Sequence, residues 1–286
     1  MVLRRSGVTV AEAMLAAPAC AGLTVADLSD RAAEGEVRDI SGDRVDLAAP
    51  AQVGRPIYFY RDLPDETVIP FEMPIIHLDD DLVVVDKPHF LATMPRGAHV
   101  VQTALVRLRR ELDNPQISPV HRLDRLTAGV LMFSLRPQAR APYQLLFADR
   151  LVDKEYRARA PVSGDMGFPA TIHNRILKDS GDLRARVVPG EVNAISTIDL
   201  ADTDGDRGIY RLLPRTGRTH QLRLHMSGLG IPIDGDPLYP EVRPEVADAP
   251  DRGDFSDPLQ LLAYAVEFDD PLTGRRRRFQ SARILG

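Results

Sequence analysis

Residues 119–134 read PVHRLDRLTAGVLMFS. A single carboxylate, Asp124, stands between Arg122 and Arg125. The small-residue turn Leu126-Thr127-Ala128-Gly129 then leads into an unbroken apolar run. Such a run fits a central strand covered on both faces rather than one with a wet side. Asp124 is thereby expected at the mouth of a buried strand, where site residues are commonly mounted on a rigid support. The plain reading of the RxDR pattern is a structural ion pair with Arg122 or Arg125. An aspartate among arginines is held in its charged form, which suits a nucleophile better than a general acid.

Outward from this stretch, the chain alternates short strands with a few helices. IIHLDDDLVVVDKP (75–88) reads as two strands around an acidic turn. TALVRLRREL (103–112) carries Leu105, Leu108 and Leu112 at helical spacing. RPQARAPYQLLFADR (136–150) is a helix with Pro137 in its first turn and an apolar stripe of Tyr143, Leu146 and Phe147. KEYRARAPV (154–162) alternates as a half-buried strand. THQLRLHMSGLG (219–230) is expected as a helix with Thr219 as N-cap. LLAYAVEFDDPLTGRRRRFQ closes the chain as two strands around a turn. The fold class expected is α+β: a mixed, largely antiparallel sheet with flanking helices forming a cleft. A small N-terminal α/β domain (residues 1–60) precedes a proline-rich linker (61–73) and the main domain (74–286). The acidic segment 241–257 is expected to be a mobile insertion.

Composition narrows the function. With 286 residues, 44% of them hydrophobic, the chain can bury a substantial core. Its one cysteine, Cys20, excludes a disulfide framework and a cysteine-based zinc site, so a cytoplasmic location is expected. No signal peptide is read at the N-terminus, and no apolar run approaches a membrane span. The net charge of −5 argues against a polyanion partner only at face value, because binding depends on the local patch. The stretch RGIYRLLPRTGRTHQLRLH (207–225) holds five arginines, two histidines and no acid. The closest histidines, His220 and His225, are five apart, the wrong spacing for two ligands on one helix face, so no metal site is expected. GxxxxGK[ST] and GxSxG patterns are absent, which disfavours nucleoside-triphosphate and serine-hydrolase chemistry.

HRLDRLTAG (121–129), KEYRA (154–158) and GRTHQLRLHMSGLGIPIDGDPLY (217–239), preceded by IIHLDDDLVVVDKP, together resemble the RluA-type family of pseudouridine synthases. The resemblance covers residues 74–286. It implies an RNA uridine isomerase that needs no cofactor and no metal, with structured ribosomal or transfer RNA as partner. Separately, a monomer is expected for a chain that holds one long RNA fold. By the same resemblance Asp124 is the nucleophile, attacking either the ribose or the uracil ring. Tyr156 lies against the uracil and can take part in removing its C5 proton. Arg218 pairs with the catalytic carboxylate. Arg122 fills the RNA stack when the target nucleotide flips out. His121, Arg125, His220, Gln221 and Arg223 are further candidate RNA contacts. The RRRR run (275–278) is expected as a solvated strand edge that touches phosphate.

Three departures from the family pattern stand out. Phe90 replaces the usual glycine of a Lys-Pro-x-Gly turn. Leu262 replaces the usual histidine of Leu-His-Ala. Residues 24–60 faintly resemble an S4-type RNA-binding domain but are acid-rich. Two rival functions are an RNA-binding assembly protein without catalysis and a glycosidase-like hydrolase. The hydrolase needs a second carboxylate close to Asp124.

Overall fold

The computed structural model describes residues 1–60, 65–97, 99–163 and 167–286. Two compact units make up the chain, Met1–Pro64 and Asp65–Gly286.

In the N-terminal unit, helices α1 (Val10–Leu15) and α2 (Val25–Ala33) each begin with a capping box, Thr9 with Glu12 and Thr24 with Asp27. A two-stranded ladder of β1 (Val37–Arg38) and β2 (Tyr58–Phe59) completes it. Leu3, Val10, Met14, Leu28, Val37 and Ile57 form its core, with Cys20 buried among them.

The second unit is built on β3 (Ile75–Leu78), β4 (Leu82–Lys87), β5 (Ser118–Pro119), β6 (Ala128–Ser134), β7 (Asp153–Pro161), β8 (Ala170–Leu177), β9 (Arg186–Val188), β10 (Ala194–Asp204), β11 (Arg207–Pro214), β12 (Leu261–Asp269) and β13 (Arg276–Gln280). They form one sheet in the order β3-β4-β6-β12-β7-β11-β10-β8-β9, with β13 on β12 and β5 on β6. Among the described residues its pairings are antiparallel except β12 with β6, giving the α+β class. Strands β4 and β6 are buried along their whole length because both faces are covered. Val83, Val85, Leu131 and Phe133 face helix α3 (Ala104–Glu111), while Val84, Val130, Met132 face α4 (Pro137–Ala148). A third cluster joins Ala158, Ala160, Tyr210 and Leu212 to Leu222 and Met226 of α5 (Gln221–Gly228).

The parallel contact explains the glycine that ends the RLDRLTAG turn. Gly129 has φ +112, and a Cβ there would lie 2.2 Å from the carbonyl oxygen of Ala263. Only glycine allows both that backbone conformation and the close approach of β12.

Several expectations need correction. Residues 61–64 of the expected linker lie outside the described residues, but 65–73 are attached to the second unit. Glu66 accepts from the backbone N–H groups of Val100, Val101 and Gln102, and Ile69 is buried in the core. Segment 241–257 is not loose either. It forms α6 (Pro244–Ala247) and a 3₁₀ turn (Ala249–Arg252), buries Pro250, and packs Phe255 against Phe71 and Phe90. The arginines of 276–278 are engaged by acids: Arg276 with Asp153 and Glu267, Arg277 with Asp79 and Asp270, and Arg278 with Glu267.

Candidate functional site

Asp124 stands in the loop that enters β6, and that loop is clamped from outside by the segment following β4. Thr93 Oγ1 donates to the Leu123 carbonyl at 2.8 Å and accepts from the Leu123 N–H at 3.1 Å. His89 Nδ1 lies 2.8 Å from the Leu126 carbonyl. Lys87, fully buried, donates from Nζ to the carbonyls of Pro88, Leu91 and Arg125 at 2.9, 2.7 and 3.2 Å. The backbone on both sides of Asp124 is therefore fixed, at the carbonyls of Leu123, Arg125 and Leu126. Inside the loop the Thr127 N–H donates to the Asp124 carbonyl.

Three acceptors around Nζ require three donors, which only an ammonium supplies. Burial nevertheless pulls the Lys87 pKa well below its ordinary value, and the Asp124 charge opposes that pull. The turn that carries these clamps holds Phe90 at φ +66, the left-handed region natural to glycine. Phe90 is buried against Phe71 and Phe255, so packing offsets the strain of the replacement.

Above the loop lies a cavity of about 140 Å³, lined by Arg122, Asp124, Lys154, Tyr156, Arg218 and His220 among others. Tyr156 projects from β7, and Arg218 precedes α5. The nucleophile candidate and its two proposed helpers, drawn from three distant motifs, thus meet in one cleft. Among the described residues Asp124 is its only carboxylate. Burial pushes the Tyr156 phenol up, and the Asp124 charge adds to the effect, so the phenol keeps its proton.

Arg218 and Asp124 share the cavity, but the expected ion pair is not formed. Arg218 Nε donates to the Asn193 carbonyl at 3.2 Å, and among the described residues no cation lies within ion-pair distance of the Asp124 carboxylate. Nor is Thr219 the helix cap. His220 takes the cap position in the left-handed conformation, φ +57, and α5 begins at Gln221.

The remaining candidates divide. Arg122 is exposed at the cavity rim. Arg125 is bound to Asp251 at 2.9 Å, an acid of the 241–257 segment. His121 packs behind the loop: its Nε2 accepts from the Met132 N–H and its ring stacks on Phe147 at 4.3 Å. Burial lowers its pKa to about 3. Gln221 is turned inward, binding Thr216, Ser196, the Ile195 carbonyl and the Arg218 N–H. Arg223 is buried in a bidentate pair with Asp236 at 2.7 and 2.6 Å. Gln221 spends all its polar atoms inside the protein, His121 uses Nε2 on the Met132 N–H, and Arg223 uses Nε and Nη2 on Asp236, so these bonds serve the fold rather than RNA. Gln221 and Arg223 instead hold the 216–223 turn in place. Sequence reasoning missed Lys87, Thr93 and Asp236, whose partners are distant carbonyls and a buried guanidinium.

Residues 81–228 match the family described as RNA pseudouridylate synthase. A dual-specificity RNA pseudouridine synthase RluA of Vibrio vulnificus is 32% identical over 69% of this chain and 78% of its own length. The chain belongs to the RNA pseudouridylate synthase family. The human pseudouridylate synthase RPUSD2 is 35% identical over 68% of this chain, which spans about a third (34%) of that longer protein. Human RNA pseudouridylate synthase domain containing 4 superposes with a TM-score of 0.55 over 74% of this chain and 88% of its own, at 24% identity, which bears on the fold. The family is one of RNA-modifying isomerases, and the cavity that holds Asp124, Tyr156 and Arg218 is the candidate site for that chemistry in this fold. Among the described residues no three histidine, cysteine or carboxylate groups are placed to hold a metal ion, and no helix is long and apolar enough to cross a membrane.

Proposed function

We propose that this pseudouridine synthase isomerises specific uridines in structured ribosomal or transfer RNA, with Asp124 as nucleophile on a nucleotide flipped out of its stack. The observation that carries the reading is the placing of Asp124: one carboxylate, mounted on a triply clamped loop, facing Tyr156 and Arg218 across a small cavity. A two-carboxylate glycosidase mechanism needs a second acid beside Asp124; among the described residues none lines this cavity, and Asp251, in the adjoining cavity, is bound to Arg125.

In the reaction the N1–C1′ bond breaks, the uracil turns over, and a C5–C1′ bond forms. The C5 proton leaves and N1 gains a proton, so atoms balance without a co-reactant. A stacked nucleotide cannot bring C1′ to a carboxylate at the floor of a cleft, so extrusion is required. The exposed guanidinium of Arg122 suits the vacated stacking space. Arg218, which lines the same cavity, engages the carboxylate or the target phosphate once RNA displaces its Asn193 contact. Tyr156, protonated, serves as a flat wall against the uracil rather than as the base that removes the C5 proton. The buried single cysteine fits a reducing cytoplasm.

The test is to incubate the protein with unmodified ribosomal and transfer RNA transcripts, digest them, and separate the nucleosides by chromatography with mass detection. A new nucleoside of uridine mass but distinct retention is expected. A digest holding uridine alone from both RNA classes overturns the proposed substrate.

A further inference from the structure

His220 carries a geometry that the assigned roles do not use. Its backbone is left-handed, uncommon for a residue with a side chain. Its Nδ1 lies 3.0 Å from the Tyr239 hydroxyl. That hydroxyl is buried and already occupied: it donates to the Ala185 carbonyl at 2.9 Å and accepts from the Ala185 N–H at 2.8 Å. A phenol has one proton to give and two lone pairs. With the proton on Ala185, the remaining lone pair can only accept, so Nδ1 of His220 is the donor. The neutral ring then carries its proton on Nδ1 and a free lone pair on Nε2. Tyr239 does not line the Asp124 cavity, whereas His220 does. Nδ1 is therefore anchored behind the wall, and Nε2 is the ring nitrogen left for the cavity. It has no hydrogen bond among the described residues and is not one of the atoms sealed from solvent.

The charges around the ring keep it neutral. Burial, then the Arg223 guanidinium, lowers the His220 pKa to about 4, against the opposing pull of Asp124 and Asp236. An uncharged acceptor beside the proposed nucleophile is thus a fixed feature of the cleft near neutral pH.

We propose that His220 Nε2 accepts the N3–H of the target uracil and remains bonded to it while the base turns over. The inference rests on the reading of the Asp124 cavity as the uridine site. Its logic is geometric. Exchanging N1 for C5 at C1′ is a half-turn of the ring about the line through N3 and C6. That turn swaps O2 with O4 but leaves N3 in place, so a single acceptor at N3 can hold the base before, during and after rotation. A detached base is thereby retained without a contact that must be broken. Cytosine presents a lone pair at N3, which opposes the Nε2 lone pair, so the same atom distinguishes uracil from cytosine. His220 is then a specificity-determining residue for the reaction.

The test uses uridine 5′-monophosphate as probe, with cytidine and 3-deazauridine monophosphates as controls, the last lacking the N3 proton. Histidine ¹⁵N spectra of the full chain are recorded, with His220 assigned by its loss in His220→Asn. Asparagine tolerates the left-handed backbone and keeps a donor toward Tyr239 but places nothing at Nε2. The free wild type should show Nδ1 protonated and Nε2 bare, and uridine monophosphate alone should move the Nε2 signal. Wild type should prefer uridine over 3-deazauridine monophosphate by about tenfold, the worth of one hydrogen bond, and His220→Asn should bind the two equally. A proton on Nε2 in the free protein overturns the proposal, as does an Nε2 signal unmoved by saturating uridine monophosphate. Tritium release from C5-labelled cellular RNA by the same wild-type preparation separates the two failures. If release persists while Nε2 fails the test, the pivot is wrong and the uridine site stands; without release, the site itself is misassigned.

Discussion

Replacing Lys87 with methionine removes the clamp on Arg125 while nearly preserving side-chain volume. Nζ makes three hydrogen bonds to carbonyls, none of which water can reach easily, because Lys87 is fully buried. Each bond from a charged donor contributes about 1.5–3 kcal/mol, and each carbonyl left buried without a partner costs about 1–3 kcal/mol. The gain from no longer burying an ammonium offsets several kcal/mol of that sum. A net destabilisation of about 3 kcal/mol is expected. It should appear in urea unfolding followed by circular dichroism, confined to the transition of the 65–286 unit, while the N-terminal transition is unchanged. Below the unfolding range, pseudouridine formation should also fall, because the Arg125 carbonyl adjoins Asp124 and is released. A loss under about 1 kcal/mol with undiminished turnover would refute the reasoning.

Asp251→Asn removes the acid that occupies Arg125. RNA binding should tighten, and the salt dependence should steepen by about one phosphate contact. Unchanged affinity and slope in filter binding would mean that Arg125 does not meet RNA. Acid should unfold the protein through its histidines. The pKa of buried His225 is lowered to about 4 and that of His121 to about 3, below the ordinary 6.5. The unfolded chain then binds more protons than the folded one between those values and 6.5, so stability is full above 6.5 and falls as pH drops through the window. Each contributes a slope approaching about 1.4 kcal/mol per pH unit there. Denaturation midpoints from pH 7 to 4.5 measure it, and a flat profile would contradict the burial of these rings.

Much of the architecture was written in local pattern. The apolar run 128–134 forces a strand buried on both faces, and the alternation at 154–162 a strand with one. Motif order was enough to bring Asp124, Tyr156 and Arg218 to one cavity. The finer arrangement was not legible, for reasons that lie in long-range hydrogen bonding. Nothing near Lys87 in sequence announces that its proton donors serve a carbonyl 38 residues away. Thr219 has the chemistry of an N-cap, yet His220 adopts the left-handed cap, and its ring bonds to Tyr239, 19 residues downstream. The cation-rich stretch 207–225 looked unneutralised, but its partners come from elsewhere: Glu155 for Arg211, Asp234 for Arg207 and Asp236 for Arg223. The acidic 241–257 segment read as mobile because its anchors, Phe71, Phe90 and Arg125, lie far upstream.

The most direct measurement is release of tritium from RNA labelled at uracil C5, comparing wild type with Asp124→Asn. The substitution changes no volume and breaks no ion pair among the described residues, so the fold should survive it. Wild type should release label in proportion to the pseudouridine formed, and Asp124→Asn should release none above background. Equal release by the two proteins would contradict the assignment of Asp124 as nucleophile.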